Sequence, residues 1–174
     1  MTDPRPNARI RELFLIDEGL YGCAEVTQIA LQEQFDLPDP GDSSPAMVLN
    51  GGLAYSGGAC GAVTGAALAV GRLAAARLTD HRDAKRTARH VIQGLMVEFE
   101  DKFGSMSCRD LTGYDMMKDH EAFMEDGTWK TVCTRQIEFV AERLQALMDP
   151  GHWEGVVAAA AAPAVPLPEA GDQT

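Results

Sequence analysis

The chain has 174 residues, 45% of them hydrophobic, which fits one domain with a buried core. Its formal net charge of −11 at pH 7 would repel phosphate backbones and anionic lipids, which argues against nucleic-acid binding and attachment to a membrane surface. Only 6% of the residues are aromatic, whereas alanine, glycine and methionine are plentiful, so the composition favours closely packed helices over a β-sandwich.

The beginning of the chain carries no targeting signal. Residues 1–11 are polar and include Pro4 and Pro6, without the apolar core of a signal peptide. The uncharged stretch 46–71 is strongly apolar only over 59–70, fewer than the roughly 17–25 residues that a membrane-spanning helix requires. We therefore expect a cytoplasmic protein, in which cysteines more often serve catalysis or metal binding than structural disulfides.

In chain order, apolar residues recur at helical spacing over 10–35, where Gly19 and Gly22 favour a kink or a break. Prolines and a glycine in 36–42 predict a loop, and Ser43 or Ser44 then begins a short helix. Further helical segments are predicted at 59–78, 80–103, 105–113, 115–123 and 131–148.

These segments predict an all-α fold, a compact bundle of about five to six helices formed by residues 1–150. Residues 151–174 are rich in alanine and proline and are predicted to be a disordered tail. Gly57, Gly61 and Gly65 lie four residues apart and give the central helix a face without bulk. Another backbone can approach such a face closely, within the chain or in a homodimer.

The chemistry-bearing residues are four single cysteines, Cys23, Cys60, Cys108 and Cys133. None of their spacings forms a C-x-x-C pair, so neither a zinc ribbon nor a thioredoxin-type dithiol is indicated locally. Scattered cysteines are commonly small buried hydrophobic residues, and spacing alone favours that interpretation.

The position of the cysteines, in contrast, indicates a functional role as thiolates. Cys60, Cys108 and Cys133 each fall in or beside the first turn of a predicted helix, where unpaired N–H groups and the helix dipole favour an anion. Arg109 and Arg135 lie nearby in sequence and would add positive charge. A bundle could gather these helix starts at one end, with Cys23 supplied by the kinked first helix.

The contexts of the four cysteines resemble a known family, that of the proposed redox-active proteins named for the pattern C_GCAxxG_C_C. The resemblance spans roughly residues 10–147. It is carried by the segments 18–24 (EGLYGCA), 58–66 (GACGAVTGA), 103–113 (FGSMSCRDLTG) and 132–133 (VC). The core reads Cys60-Gly61-Ala62, where the family name spells Gly-Cys-Ala.

The resemblance implies a small helical protein whose four cysteines serve redox chemistry or ligate an iron–sulfur cluster, working with a redox partner protein. Four thiolates suit such a cluster or a tetrahedral zinc ion, and Gly61 would leave backbone N–H groups free to reach cluster sulfurs. Two alternatives stay open: a metal-free thiol–disulfide oxidoreductase with Cys60 as the reactive thiol, and a structural or partner-binding module. Whether the protein is an enzyme is left open by the sequence.

Other residue patterns support fewer roles. His81 and His90 fall on the polar half of a helix, and His120 lies in a methionine-rich stretch that is typical of core packing. No Ser/His/Asp set, P-loop or dinucleotide fingerprint is present, so a hydrolase or a nucleotide-dependent enzyme has no support.

Overall fold

The computed structural model describes residues 5–15 and 20–162, and the regular structure in these ranges is all helical. Eight α-helices occur there: α1 Arg5–Leu15, α2 Cys23–Gln34, α3 Gly61–Arg77, α4 His81–Phe103, α5 Cys108–Thr112, α6 His120–Glu125, α7 Thr134–Leu144 and α8 Pro150–Ala161. Short 3-10 turns lie at Ser44–Ala46 and Gln145–Met148, and a π-helical turn spans Trp129–Cys133. The all-α class is confirmed, but the expected five to six helices were too few.

One of the extra helices comes from the break predicted within residues 10–35. Gly22 takes an extended conformation and its N–H donates to the carboxylate of Glu25 at 2.9 Å, an interaction that starts a new helix at Cys23. The first turn of α2 therefore carries the first cysteine. The predicted kink residue Gly19 lies outside the described residues.

The centre of the bundle is the contact between α2 and α3, which pack closely because α3 presents glycines to α2. A β-carbon added at Gly65 would lie 2.2 Å from the carbonyl oxygen of Ala24, closer than any real contact. The small-residue face of α3 is thus occupied by α2 of the same chain. A homodimer, which the sequence suggested through this same face, stays a prediction.

Helix α4 covers the other side of α3 and was predicted almost to the residue. Asp80 caps its start, since one carboxylate oxygen accepts the N–H groups of Arg82 and Asp83, and Gly104 ends it at φ +82°. Leu95 and Phe99 are buried along its inner face. His81 and His90 are exposed, as expected for the polar half.

Helix α8 corrects the prediction that the chain beyond residue 150 is a disordered tail. Asp149 accepts the N–H of His152, Pro150 occupies the first turn, and Trp153 is buried with the guanidinium of Arg77 5.0 Å from its ring centroid. The helix was missed because a run of alanines between prolines shows no apolar periodicity. Residues 163–174 lie outside the described residues.

The cap of α8 provides a direct test of this helix. Asp149→Ala removes the acceptor for the N–H of His152 and should lower stability by about 1 kcal/mol, a melting-point decrease of roughly 2–4 °C. Asp149→Asn keeps a capping oxygen and should leave the melting temperature close to that of the parent. Equal melting temperatures for the alanine variant and the parent would contradict a structural role for this end of α8.

None of the helices in the described part of the chain combines the length and the apolar character that crossing a bilayer demands.

Candidate functional site

The four cysteines occupy comparable places in the fold. Cys23 is the first residue of α2, Cys60 is the N-cap of α3, Cys108 is the first residue of α5, and Cys133 closes the π-helical turn that leads into α7. The prediction of helix starts holds for Cys60 and Cys108 and extends to Cys23. Cys133 lies one turn inside continuous helical backbone, so its environment differs.

Two of these helix starts are tied together by backbone hydrogen bonds. The N–H of Cys60 donates to the carbonyl of Met106 at 2.8 Å, and the N–H of Cys108 donates to the carbonyl of Gly58 at 2.7 Å. The segments that lead into α3 and α5 therefore run side by side and bring their cysteines to one end of the bundle.

All four thiols meet at that end. A β-carbon at Gly61, next to Cys60, would lie 2.2 Å from the sulfur of Cys23. Cys23, Cys108 and Cys133 line one cavity. Burial raises the pKa of the other three thiols, and a negative charge on Cys23 would raise the pKa of each of them further. The structure thus brings together every cysteine that the sequence singled out.

The sulfur of half-buried Cys23 faces a ring of backbone donors. Burial raises the pKa of its thiol, while the N–H groups of Gly51, Ala24, Cys23 itself and Gly61 act in the opposite direction. These N–H groups offset only part of the effect of burial, and that of Ala24 also donates to the side chain of Asn50 at 2.9 Å. The absence of a side chain at Gly61 is what lets its backbone come this close.

Cys60 lies deeper. Burial raises the pKa of its thiol, the charge of Cys23 adds to the increase, and the N–H groups of Ala62 and Val63 offset part of it. Its S–H donates to the side-chain oxygen of buried Gln136 at 3.5 Å. Gln136 thus holds the protonated form of the thiol.

Fewer neighbouring groups lower the pKa of Cys108 and Cys133. Burial raises the pKa of Cys108 to about 12, with a further increase from Cys23 and a small decrease from the hydroxyl of Thr112. Burial also raises the pKa of Cys133 well above its ordinary value, and the charges of the other three cysteines act in the same direction. Metal-free, the cluster is therefore a set of protonated thiols.

The positive charge expected from two arginines does not reach these sulfurs. The guanidinium of Arg109 pairs with Asp115 at 3.3 Å and is half exposed, and Arg135 is exposed. The sequence-based expectation of thiolates stabilised by helix starts and arginines is wrong for the metal-free protein, since burial outweighs the backbone donors.

A polar network that the sequence did not indicate positions Cys23. Buried Glu25 accepts hydrogen bonds from the side-chain amide of Asn50 at 2.8 Å and from the hydroxyl of Ser43 at 3.3 Å. The amide oxygen of Asn50 then accepts the N–H of Ala24 at 2.9 Å and faces the sulfur of Cys23 at 4.0 Å. Glu25 and Asn50 are 25 residues apart, and no local pattern links them.

The loop beside this network has an unusual backbone. Gly51, Gly52, Leu53, Ala54 and Tyr55 all have φ between +48° and +77°. The left-handed region costs roughly 1–2 kcal/mol for each residue that has a side chain. Strain of this kind persists only where the surroundings enforce it, and it concentrates at functional sites.

A cavity of about 300 Å³ opens between the thiols and this loop. Asn50, Glu25 and the thiols of Cys23, Cys108 and Cys133 form one side. The remaining wall is mainly aromatic and thioether-bearing, with Phe14, Tyr55, Met116, His120, Phe123 and Trp129 among its residues. His120 and Met116 therefore line a cavity, whereas the sequence had suggested only that this stretch packs in the core.

The site fits an iron–sulfur centre in the kind of donor that it supplies. Four thiols lie at one end of the bundle, and backbone N–H groups near Cys23 and Cys60 favour negative charge on their sulfurs. Within the described residues, no three His, Cys, Asp or Glu side chains are arranged closely enough around one point to hold a metal ion. Binding would therefore require the thiols to move closer together.

The fold and the site place this chain in the class of small helical proteins with a group of four cysteines from distant parts of the sequence. The chain belongs to the family described as "putative redox-active protein (C_GCAxxG_C_C)", whose pattern matches residues 21–147. The resemblance noted in the sequence is thereby confirmed. No curated protein and no solved structure matches the chain significantly.

Proposed function

We propose that the protein binds an iron–sulfur cluster through Cys23, Cys60, Cys108 and Cys133 and transfers electrons to a partner protein in the cytoplasm. The observation that carries this proposal is that four thiols from separate helical segments lie at one end of the bundle. The free state of all four cysteines agrees with a reducing compartment.

A metal-centred role is favoured over metal-free thiol chemistry by the charges of the site. A thiol–disulfide oxidoreductase needs a nucleophile with a lowered pKa, usually beside a cation or at an open helix start. Burial raises the pKa of all four thiols here, and Arg109 pairs elsewhere. Bound iron would supply the positive charge that four buried thiolates need.

Iron–sulfur binding is favoured over zinc by the backbone around Cys23 and by the family. Hydrogen bonds to the sulfurs are a principal means by which a protein sets the potential of an iron–sulfur cluster. Gly51, Cys23 and Gly61 place backbone N–H groups near the sulfur of Cys23 that would supply such bonds, whereas the N–H of Ala24 already donates to Asn50. Zinc has no redox chemistry of its own, whereas the family is described as redox-active.

The residues of the chain would divide the work as follows. The cysteines hold the cluster, which supplies the one-electron redox chemistry. The Glu25–Asn50 network fixes the start of α2 and with it the position of Cys23. Gln136 is placed to rotate or release its hydrogen bond when Cys60 loses its proton. The aromatic and methionine side chains of the cavity limit the access of water.

Metal analysis of the protein purified without oxygen tests this proposal. We expect iron and acid-labile sulfide in roughly equal amounts, visible absorption that bleaches on reduction, and an electron paramagnetic resonance signal in one oxidation state. Stoichiometric zinc without sulfide would instead support a structural zinc module. Absence of both metals, together with a reversible disulfide, would support the metal-free oxidoreductase.

A further inference from the structure

The cavity that three of the thiols line is large enough for a small molecule. Its volume of about 300 Å³ reaches the range in which proteins bind small organic ligands, roughly 300–1,000 Å³. The thiols of Cys23, Cys108 and Cys133 account for one side only. The exposed lining residues mark its opening to the surface, and they include Tyr55 of the strained loop.

Tyr55 lines the cavity at this opening, and its backbone is strained. The residue is held at φ +62°, and its ring lies 5.0 Å from the ring of His120. Both rings line the cavity. A tyrosine forced into the left-handed region and placed at a cavity mouth is the kind of outlier that marks a ligand clamp.

Exposed apolar side chains gather at the same opening. Leu20, Met47 and Tyr55 line the cavity and yet are 59%, 61% and 45% exposed. Clustered apolar exposure next to a concave site is typical of a surface that a ligand covers.

The charges of the cavity decide which ligands fit. Among the described residues that line it, none is lysine or arginine, whereas the carboxyl-bearing side chain Glu25 is present. The protein as a whole carries a net charge of −11. Phosphorylated or carboxylated ligands would therefore be repelled, and a neutral molecule is favoured.

We propose that the cavity binds a small neutral aromatic carbonyl compound of the quinone class, with its ring against Tyr55 and His120. The aromatic and thioether side chains of the wall suit a flat apolar ring. The phenol O–H of Tyr55 and the imidazole N–H of His120 can donate hydrogen bonds to its carbonyl oxygens. The choice of a redox-active class rests on the proposed electron-transfer function. The binding itself does not depend on iron.

Tryptophan fluorescence can report this binding directly. Trp129 lines the cavity, whereas Trp153 lies on α8 against Arg77, so the full-length W153F variant leaves Trp129 as the single reporter. The probe is 2,3-dimethyl-1,4-naphthoquinone, because its substituted ring positions cannot add thiols. The titration is made on the protein as isolated, and mass spectrometry checks that no covalent adduct forms.

We expect saturable quenching by this probe and at least about tenfold weaker binding of 2,3-dimethyl-1,4-naphthoquinone-6-sulfonate, which is equally blocked against thiols and whose charge Glu25 disfavours. In the W153F background, Tyr55→Gly should weaken binding about tenfold while folding normally, because glycine accepts φ +62° without strain. Met117→Ala is the matched control, since Met117 is 74% exposed and does not line the cavity.

Linear, non-saturable quenching would overturn the proposal, as would equal affinity for the sulfonate or for the Tyr55→Gly variant. These results are separable from the fate of the proposed function. A protein without iron that still binds the neutral probe sustains the cavity assignment, and an iron-containing protein that does not bind it refutes that assignment alone.

Discussion

Replacing Gly65 with alanine is expected to lower the free energy of unfolding by about 1–3 kcal/mol. Alanine normally stabilises the interior of a helix relative to glycine by about 1 kcal/mol, so the expected sign is reversed. The reason is the backbone of α2, because the new β-carbon would lie 2.2 Å from the carbonyl oxygen and 3.0 Å from the carbonyl carbon of Ala24. Backbone atoms at a helix contact cannot move aside as a flexible side chain can.

Gly71 provides the matched control in the same helix. A β-carbon there would meet nothing within 4 Å, so Gly71→Ala should raise the free energy of unfolding by about 1 kcal/mol. Urea unfolding of the two variants and the parent measures both changes. Equal effects of the two substitutions would show that α2 and α3 are not in close backbone contact.

The largest functional effect is expected for Cys60→Ser, which should abolish retention of iron while preserving most of the helical circular dichroism. The thiol is buried at the N-cap of α3, and its replacement by a hydroxyl removes a soft ligand without changing the shape of the site much. Cys23→Ser, Cys108→Ser and Cys133→Ser should each reduce iron content as well, since the proposed centre uses all four sulfurs as ligands.

Thr64→Ser is the control for this series. Thr64 lies in the same helical turn, and its hydroxyl donates to the carbonyl of Gly61 at 3.3 Å, a bond that serine can keep. Iron and sulfide per chain, measured after anaerobic purification, should match the parent in this variant. An unchanged iron content in Cys60→Ser would exclude Cys60 as a ligand.

Helices with a strong apolar period were predictable from the sequence. The residues of α3 and α4 could be placed to within a few positions because apolar spacing, Asp80 and Gly104 mark their extent. Helix α8 could not, since alanine repeats carry no periodicity and the burial of Trp153 depends on where Arg77 and α4 lie. Its capping residue Asp149, followed by proline, was the local signal that could have revealed it.

The site was predictable only in part. Cys60, Cys108 and Cys133 were identified from predicted helix starts, and the family resemblance added Cys23 to the set. Their protonation was not, because the effect of burial depends on how many apolar side chains surround each sulfur after folding. The link from Glu25 through Asn50 to Cys23 also escaped detection, since single polar residues far apart in sequence show no pattern until the chain brings them together.

The paired hydrogen bonds between the segments that precede α3 and α5 have a mechanical consequence. Cys60 is anchored to Met106, and Cys108 to Gly58, so the two sulfurs are carried by one rigid unit of backbone. If the thiols move together around a bound group, three backbone segments have to approach one another instead of four. They are this unit, the beginning of α2 and the π-helical turn. The entropic penalty of assembling the centre is smaller for that reason, and a disturbance of α5 should displace two of the sulfurs in concert.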